Sequence, residues 1–198
     1  MRISEIVVVG VTTANFYIDN ALLNLLVARR LNKELSAALV GRGFSENQKI
    51  AIEKQGVHAV EFGQESIVDE VWQHVNTTSG DTSKSQKTYE KFFSHYGGVE
   101  VYLHPFVPLL MARLGFKYTL YFDSDNFAIA PFDLNALKPL ESHAWVGASI
   151  CSKYYYGTYS STRAGCRLYI NTGFVGYNNK LWLGQQEPKK WLNAMATK

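Results

Sequence analysis

The sequence predicts a single α/β domain, with a central, mostly parallel sheet flanked by helices on both faces. Three observations carry that reading. Short apolar runs rich in β-branched residues alternate with longer segments of helical spacing. The links between them are short, which demands parallel crossovers. The 198 residues, 46% of them apolar and 19% charged, are enough for one well-buried domain, or one with a small extension.

Each element has its own signal. Ile6 to Val11 is a continuous apolar run, as expected for a strand covered on both sides. Phe16, Ala21, Leu22, Leu25, Leu26 and Leu31 then recur at helical spacing. Leu35 to Val40 reads as a second strand. Ser45 with Gln48 three residues on forms a capping box that opens a helix to about Gln55. Val57 to Phe62 is a third strand and Ser66 to Val75 a helix. Residues 76–87 hold no apolar side chain and read as a long loop. Helical character returns over Tyr89 to Tyr96 and Phe106 to Leu114, with Gly115 as a stop. Tyr118 to Phe122 is the next strand. Ala144 to Ile150, Leu168 to Ile170 and Phe174 to Tyr177 read as three more. A last helix is expected from about Glu187, with Pro188 in its first turn.

Composition narrows the function classes. A formal charge of +3 gives no reason to expect nucleic acid and slightly favours an anionic small ligand. The two cysteines, Cys151 and Cys166, read as free thiols in a reducing compartment rather than a disulfide framework. The apolar start is too short to span a membrane and lacks a cleavage pattern, so a cytoplasmic location with no transmembrane segment is expected. The Asn76-Thr77-Thr78 sequon is then a chance match.

In open α/β sheets, ligands bind beyond the carboxyl ends of the strands. Three polar segments stand at such places: VTTANFY from Val11, DSDN from Asp123, and NTG from Asn171. Along an extended chain Asp123 and Asp125 share a face and Ser124 points away. Two ionised carboxylates so close repel unless a proton or a cation intervenes. A hard divalent ion such as Mn²⁺ or Mg²⁺ suits these oxygen ligands. A D-x-D taken at random more often caps a turn. Here an aromatic and aliphatic strand runs directly into the acids, which favours the metal.

The segment YTLYFDSDNFAIAPFDL resembles the D-x-D region of GT-A-fold glycosyltransferases, in particular the group containing glycogenin and the bacterial lipooligosaccharide galactosyltransferases. VTTANFYIDNALLNLL resembles that group's opening strand and helix. YINTGFVGYNNKLW is similar to its Asn-x-Gly strand. The three segments follow in the family's order and span nearly the whole chain.

The resemblance implies that residues 1–198 form one Rossmann-like GT-A domain. It implies a metal-dependent transferase that moves a sugar from a nucleotide-sugar, expected to be UDP-linked, to a glycan or other hydroxyl acceptor. Val11, Thr12 and Thr13 would hold base and ribose, and Tyr17 would stack on the uracil. Asp123 and Asp125 would bind Mn²⁺ or Mg²⁺, and Ser124 would reach the ribose. Asn171, Thr172 and Gly173 would line the donor sugar. No catalytic residue is assigned. The tyrosine-rich residues 152–169 are the candidate acceptor side.

Two departures keep alternatives open. Ala14 stands where the family carries Asn or Asp. The family's second acidic motif and later His-x-x-Gly-x-x-Lys segment do not occur before Lys198, so either a minimal transferase or the donor-binding domain of a longer protein fits. Only Glu141 and Glu187 follow Asp133 as possible bases, which leans towards a retaining reaction. A non-catalytic nucleotide-binding module and a D-x-D phosphohydrolase are the other readings.

Overall fold

Six residues without a polar side chain, Ile6–Val11, form the central strand β1, and every one of them is buried. The computed structural model describes residues 1–12, 18–41, 43–61, 104–124, 126, 128–149, 170–186 and 190. Within them the elements that follow β1 are α1 (Ile18–Leu31), β2 (Ser36–Gly41), α2 (Glu46–Lys54), β3 (His58–Glu61), α3 (Val107–Arg113), β4 (Tyr118–Phe122), α4 (Leu134–Leu137), β5 (Trp145–Ser149), β6 (Ile170–Asn178) and α5 (Asn179–Gly184). The expected helices over Ser66–Val75 and Tyr89–Tyr96, the loop 76–87, both cysteines and most of the final helix lie outside the described residues.

The sheet runs in the order β3-β2-β1-β4-β6-β5. β1 pairs in parallel with β2 on one side and β4 on the other, and β2 pairs in parallel with β3. β6 is reversed and lies antiparallel to both β4 and β5. The sheet is therefore mostly parallel, as expected.

Alternation along β1 divides the core into two layers. Val7, Val9 and Val11 pack with Val107, Leu110 and Met111 of α3 and Trp182 of α5. Ile6 and Val8 pack with Ala21, Leu25 and Ala28 of α1 and with Ile52 of α2. Helices cover both faces, which is what makes a continuous apolar strand stable in water. Each fully buried aliphatic side chain, such as Leu25 at 1% exposure, stabilises the fold by about 1.5–3 kcal/mol.

Local signals explain the element ends. Ser45 caps α2, accepting from the backbone N–H of Gln48, and Gln48 Oε1 accepts from the N–H of Ser45 at 2.8 Å. Glu5, just before β1, binds Lys117 Nζ at 2.7 Å and the Arg2 side chain at 3.0 Å, tying the chain start to the entry of β4. These cations, Lys117 foremost, lower its pKa to about 2. Asn178 caps α5 and Asn179 bonds Thr119 Oγ1 at 2.8 Å, so the end of β6 is latched to the start of β4.

One expected division does not occur. Leu168–Ile170 and Phe174–Tyr177 were separate strands by pattern, whereas Ile170–Asn178 is one continuous strand. Phe174–Asn178 pair with β4, and β5 pairs on the other side with a register shift between Gly147 and Ala148, so Asn171 meets Ala148 while Thr172 and Gly173 fall in the irregular stretch. Helix α5 was also not expected; its signal is the Asn178 cap.

Candidate functional site

The order β2-β1-β4 contains the point where the chain, having built outward through β2 and β3, crosses to the other side of β1. At such a switch point the loops after the two central strands diverge and leave a crevice at their carboxyl ends. In this protein those ends are Val11 and Phe122. Gly10 pairs with Phe122, so Val11 and Thr12 leave the sheet level with Asp123 and Ser124.

Thr12 is 2% exposed and its N–H donates to the Val40 carbonyl at 2.8 Å, which carries the β1–β2 ladder one residue past the strand. Gly41 makes that geometry possible. A β-carbon there would stand 2.6 Å from the Thr12 carbonyl oxygen and 2.5 Å from the Phe44 ring. Thr13 and Tyr17 lie outside the described residues.

Asp123 is half-buried at the head of β4. Tyr121, two residues earlier on the same face, donates its hydroxyl to Asp123 Oδ1. The Tyr121 ring is stacked on His104, centroid to centroid 4.7 Å with 16° between planes. His104 Nδ1 in turn contacts the Tyr177 hydroxyl at 2.9 Å, and Tyr177 packs edge-on against Trp182. A buried aromatic column thus leads from α5 to the first acid. Burial lowers the His104 pKa to about 4, so the ring is neutral at pH 7, and burial likewise raises the Tyr177 hydroxyl well above the usual tyrosine range.

On the opposite face, the carbonyl of Ser124 accepts a hydrogen bond from Asn24 Nδ2 of α1. Asp125 lies outside the described residues. Asn126 N–H returns to the Asp123 carbonyl at 3.0 Å, closing a turn around the acids.

The third expected segment reaches the same edge by a different route. NTG belongs to the first half of β6, and Phe174 pairs with Phe122. Because β6 is antiparallel, residues 171–173 run on past the end of β4 beside the acidic turn. They approach as the beginning of a reversed strand, not as the end of a parallel one. The sheet therefore gathers Val11, Thr12, Asp123, Ser124 and the NTG backbone at one edge.

His143 sits before β5 and bonds Ser142 Oγ and the Pro139 carbonyl, at the opposite edge of the sheet. Four residues at the site were not assigned a place there by sequence reasoning: Asn24, Gly41, His104 and Tyr121. Asn24 had a visible signal, a polar residue among Ala21, Leu25 and Ala28 on an apolar helical stripe. Tyr121 also had one, since it lies two residues before Asp123 and shares its face.

No protein-family model and no curated protein matches the chain. Its fold does match solved glycosyltransferase structures. An active-site mutant of LgtC superposes with a TM-score of 0.59 at 15% identity, covering 89% of this chain and 58% of that one. Apo GlyE of Streptococcus pneumoniae gives 0.53 at 17% identity, with 97% and 38% covered. Apo mouse xyloside xylosyltransferase 1 gives 0.50 at 13% identity, with 93% and 70% covered. The chain thus has the GT-A glycosyltransferase fold, and it spans 38% of GlyE and 58% of LgtC.

Proposed function

We propose that this chain is the donor-binding domain of a metal-dependent glycosyltransferase that uses a nucleotide-sugar, with UDP as the nucleotide. The observation that carries this reading is the delivery of Asp123 to the β1/β4 switch point, level with Thr12 and flanked by the start of β6. One LgtC structure holds donor and acceptor sugar analogues, which supports a sugar substrate for this fold.

The residues present suit a hard divalent ion. Asp123 offers a carboxylate oxygen already oriented by the Tyr121 hydroxyl, as outer-shell donors orient metal ligands generally. Mn²⁺ or Mg²⁺ would be held by Asp123 and Asp125, and when bound supplies the positive charge that a departing diphosphate requires. Among the described residues no group of three acids, histidines or cysteines could hold a metal. Asp123 and Asp125 would leave the ion's remaining sites to the donor's phosphate oxygens and water, as is usual for Mg²⁺-type sites.

The remaining roles fall to the chain itself. Val11, Thr12 and Thr13 hold the base and ribose, with Tyr17 stacked on the uracil and Ser124 at the ribose. Asn171, Thr172 and Gly173 line the donor sugar, where glycine lets the backbone approach closely. Transfer breaks the bond between the anomeric carbon and the diphosphate oxygen and forms one to the acceptor hydroxyl, whose proton passes to a base. Residues 152–169 form the acceptor side.

Calorimetric titration with a nucleotide panel tests this reading. UDP should bind more tightly than GDP, ADP or CMP, and far more tightly in Mn²⁺ than in chelator. Asp125→Ala should abolish the metal effect with the fold intact. Tyr17→Ala should lose about 1–3 kcal/mol of stacking. Equal UDP affinity with and without metal would sink the metal role. Binding without transfer or donor hydrolysis would identify a non-catalytic module, and turnover of simple phosphate esters a phosphohydrolase.

A further inference from the structure

Resting on that reading, we propose that Asn24 is a positioning residue, through which α1 fixes the acid-bearing turn relative to the nucleotide-binding loop.

Asn24 occupies a position that packing alone would give to an apolar side chain. It is 5% exposed and lies on the stripe of Ala21, Leu25 and Ala28 that faces the sheet. It lines a narrow recess with Gly10, Phe122 and the backbone turn at Asp123 and Ser124. Its Nδ2 donates to the Ser124 carbonyl, and the assignment of the two amide atoms follows because a carbonyl only accepts. Its Oδ1 is buried and has no hydrogen-bond partner among the described residues.

That half-satisfied state decides between two roles. A buried acceptor left unpaired costs stability, and natural cores rarely keep one without a reason. Asn32, eight residues on and just past the end of α1, shows the contrast. Its Nδ2 donates to the Ala28 carbonyl at 2.8 Å and its Oδ1 accepts from the Phe132 N–H at 2.9 Å, so it is satisfied at both ends. Asn32 reads as a structural latch. Asn24 gives up stability to hold one backbone carbonyl, the one that follows Asp123.

The two asparagines also set the path of the chain after the acids. Asn24 grips residue 124 and Asn32 grips residue 132, eight residues apart on both partners. Eight helical residues rise about 12 Å, so the 124–132 segment advances at helical pitch along α1 instead of extending away. Helix α1 itself starts directly after the segment proposed to hold base and ribose. Asn24 is the point where that helix touches the turn of the acids. Asn24 would thereby help set the separation between the proposed nucleotide-binding loop and the acid-bearing turn.

The test uses the whole chain with UDP, Mn²⁺ and chelator as probes, and reads the ratio of UDP affinity in Mn²⁺ to that in chelator. Asn24→Leu relieves the unpaired oxygen at similar volume. Its melting temperature should equal or exceed that of the wild type. Its affinity ratio should fall at least about tenfold, the loss typical of an outer-shell partner, because affinity in Mn²⁺ falls more than affinity in chelator. Asn24→Ala, which cannot overpack the recess, should lose the same ratio. A wild-type ratio in either folded variant would overturn the proposal, since a merely structural residue changes stability and leaves the ratio alone. If the wild type itself shows no Mn²⁺ enhancement, the metal reading fails first. Amide exchange at Ser124 and Asn126 then decides the positioning role separately, and unchanged exchange in Asn24→Leu would overturn it.

Discussion

Tyr121 donates its phenolic hydrogen to the carboxylate of Asp123, so a core residue that is 2% exposed orients an acid at the lip of the crevice. The strand's alternation makes the pairing possible, because residues two apart share a face. His104 stacks on the Tyr121 ring and is itself hydrogen-bonded to the Tyr177 hydroxyl, which braces the ring from beneath.

Tyr121→Phe should therefore preserve the stack and lose only the donor. Metal-supported UDP affinity should drop by about tenfold, in the range found for outer-shell partners of metal ligands. Calorimetry in Mn²⁺ measures it, and an unchanged affinity would remove Tyr121 from the site.

His104 should make stability depend on pH. Its pKa is 6.5 when exposed in the unfolded chain and about 4 in the folded protein, so between these values the unfolded state binds the extra proton. The stability it contributes is complete above pH 6.5 and is lost as the pH falls towards 4. His104→Phe, which retains the stack, should flatten the denaturation free energy over that window. An identical slope in both proteins would contradict the assignment.

Glu5 acts lower on the scale. Its carboxyl titrates at 4.5 when unfolded and at about 2 when folded, held down by Lys117 and Arg2. Its contribution is full above pH 4.5 and disappears as the pH falls to about 2. Urea titrations across that range should show a shallower acid dependence for Glu5→Gln.

Gly41→Ala should damage the nucleotide loop as well as the fold. The new methyl would meet the Thr12 carbonyl oxygen and the Phe44 ring, well inside contact distance. Overpacking of this kind costs about 1–3 kcal/mol. UDP affinity should fall in protein that is still folded, because Thr12 must move. Loss of stability alone, with binding intact, would separate Thr12 from the ligand.

The layers of the fold were legible because their signals are local. β1 over Ile6–Val11, β4 over Tyr118–Phe122 and the Ser45–Gln48 capping box appear where periodicity and cap chemistry put them. The direction of β6 was not legible, since antiparallel pairing leaves no mark on a strand's own residues. The polar NTG stretch therefore read as following the carboxyl end of a strand at Leu168–Ile170. In the site, Asp123 and Thr12 stood out as polar residues at strand ends. Asn24 and Tyr121 left fainter marks, a polar residue on an apolar stripe and a two-residue spacing from Asp123, and their roles rest on a partner 100 residues away or on a hydroxyl beneath the surface.

The reversed β6 has a further consequence. β5 ends at Ser149 and β6 begins at Ile170, paired with each other at the same edge as the acidic turn. Residues 150–169 are thereby joined to the described sheet at both ends by one paired base, Ser149 opposite Ile170. A segment anchored this way can be exchanged or lengthened without disturbing β1, β4 or the acids, since doubling a loop costs only about 0.6 kcal/mol in closure entropy. If the proposed function holds, grafting other tyrosine-rich segments onto the Ser149–Ile170 base should change the acceptor used and leave UDP affinity unchanged.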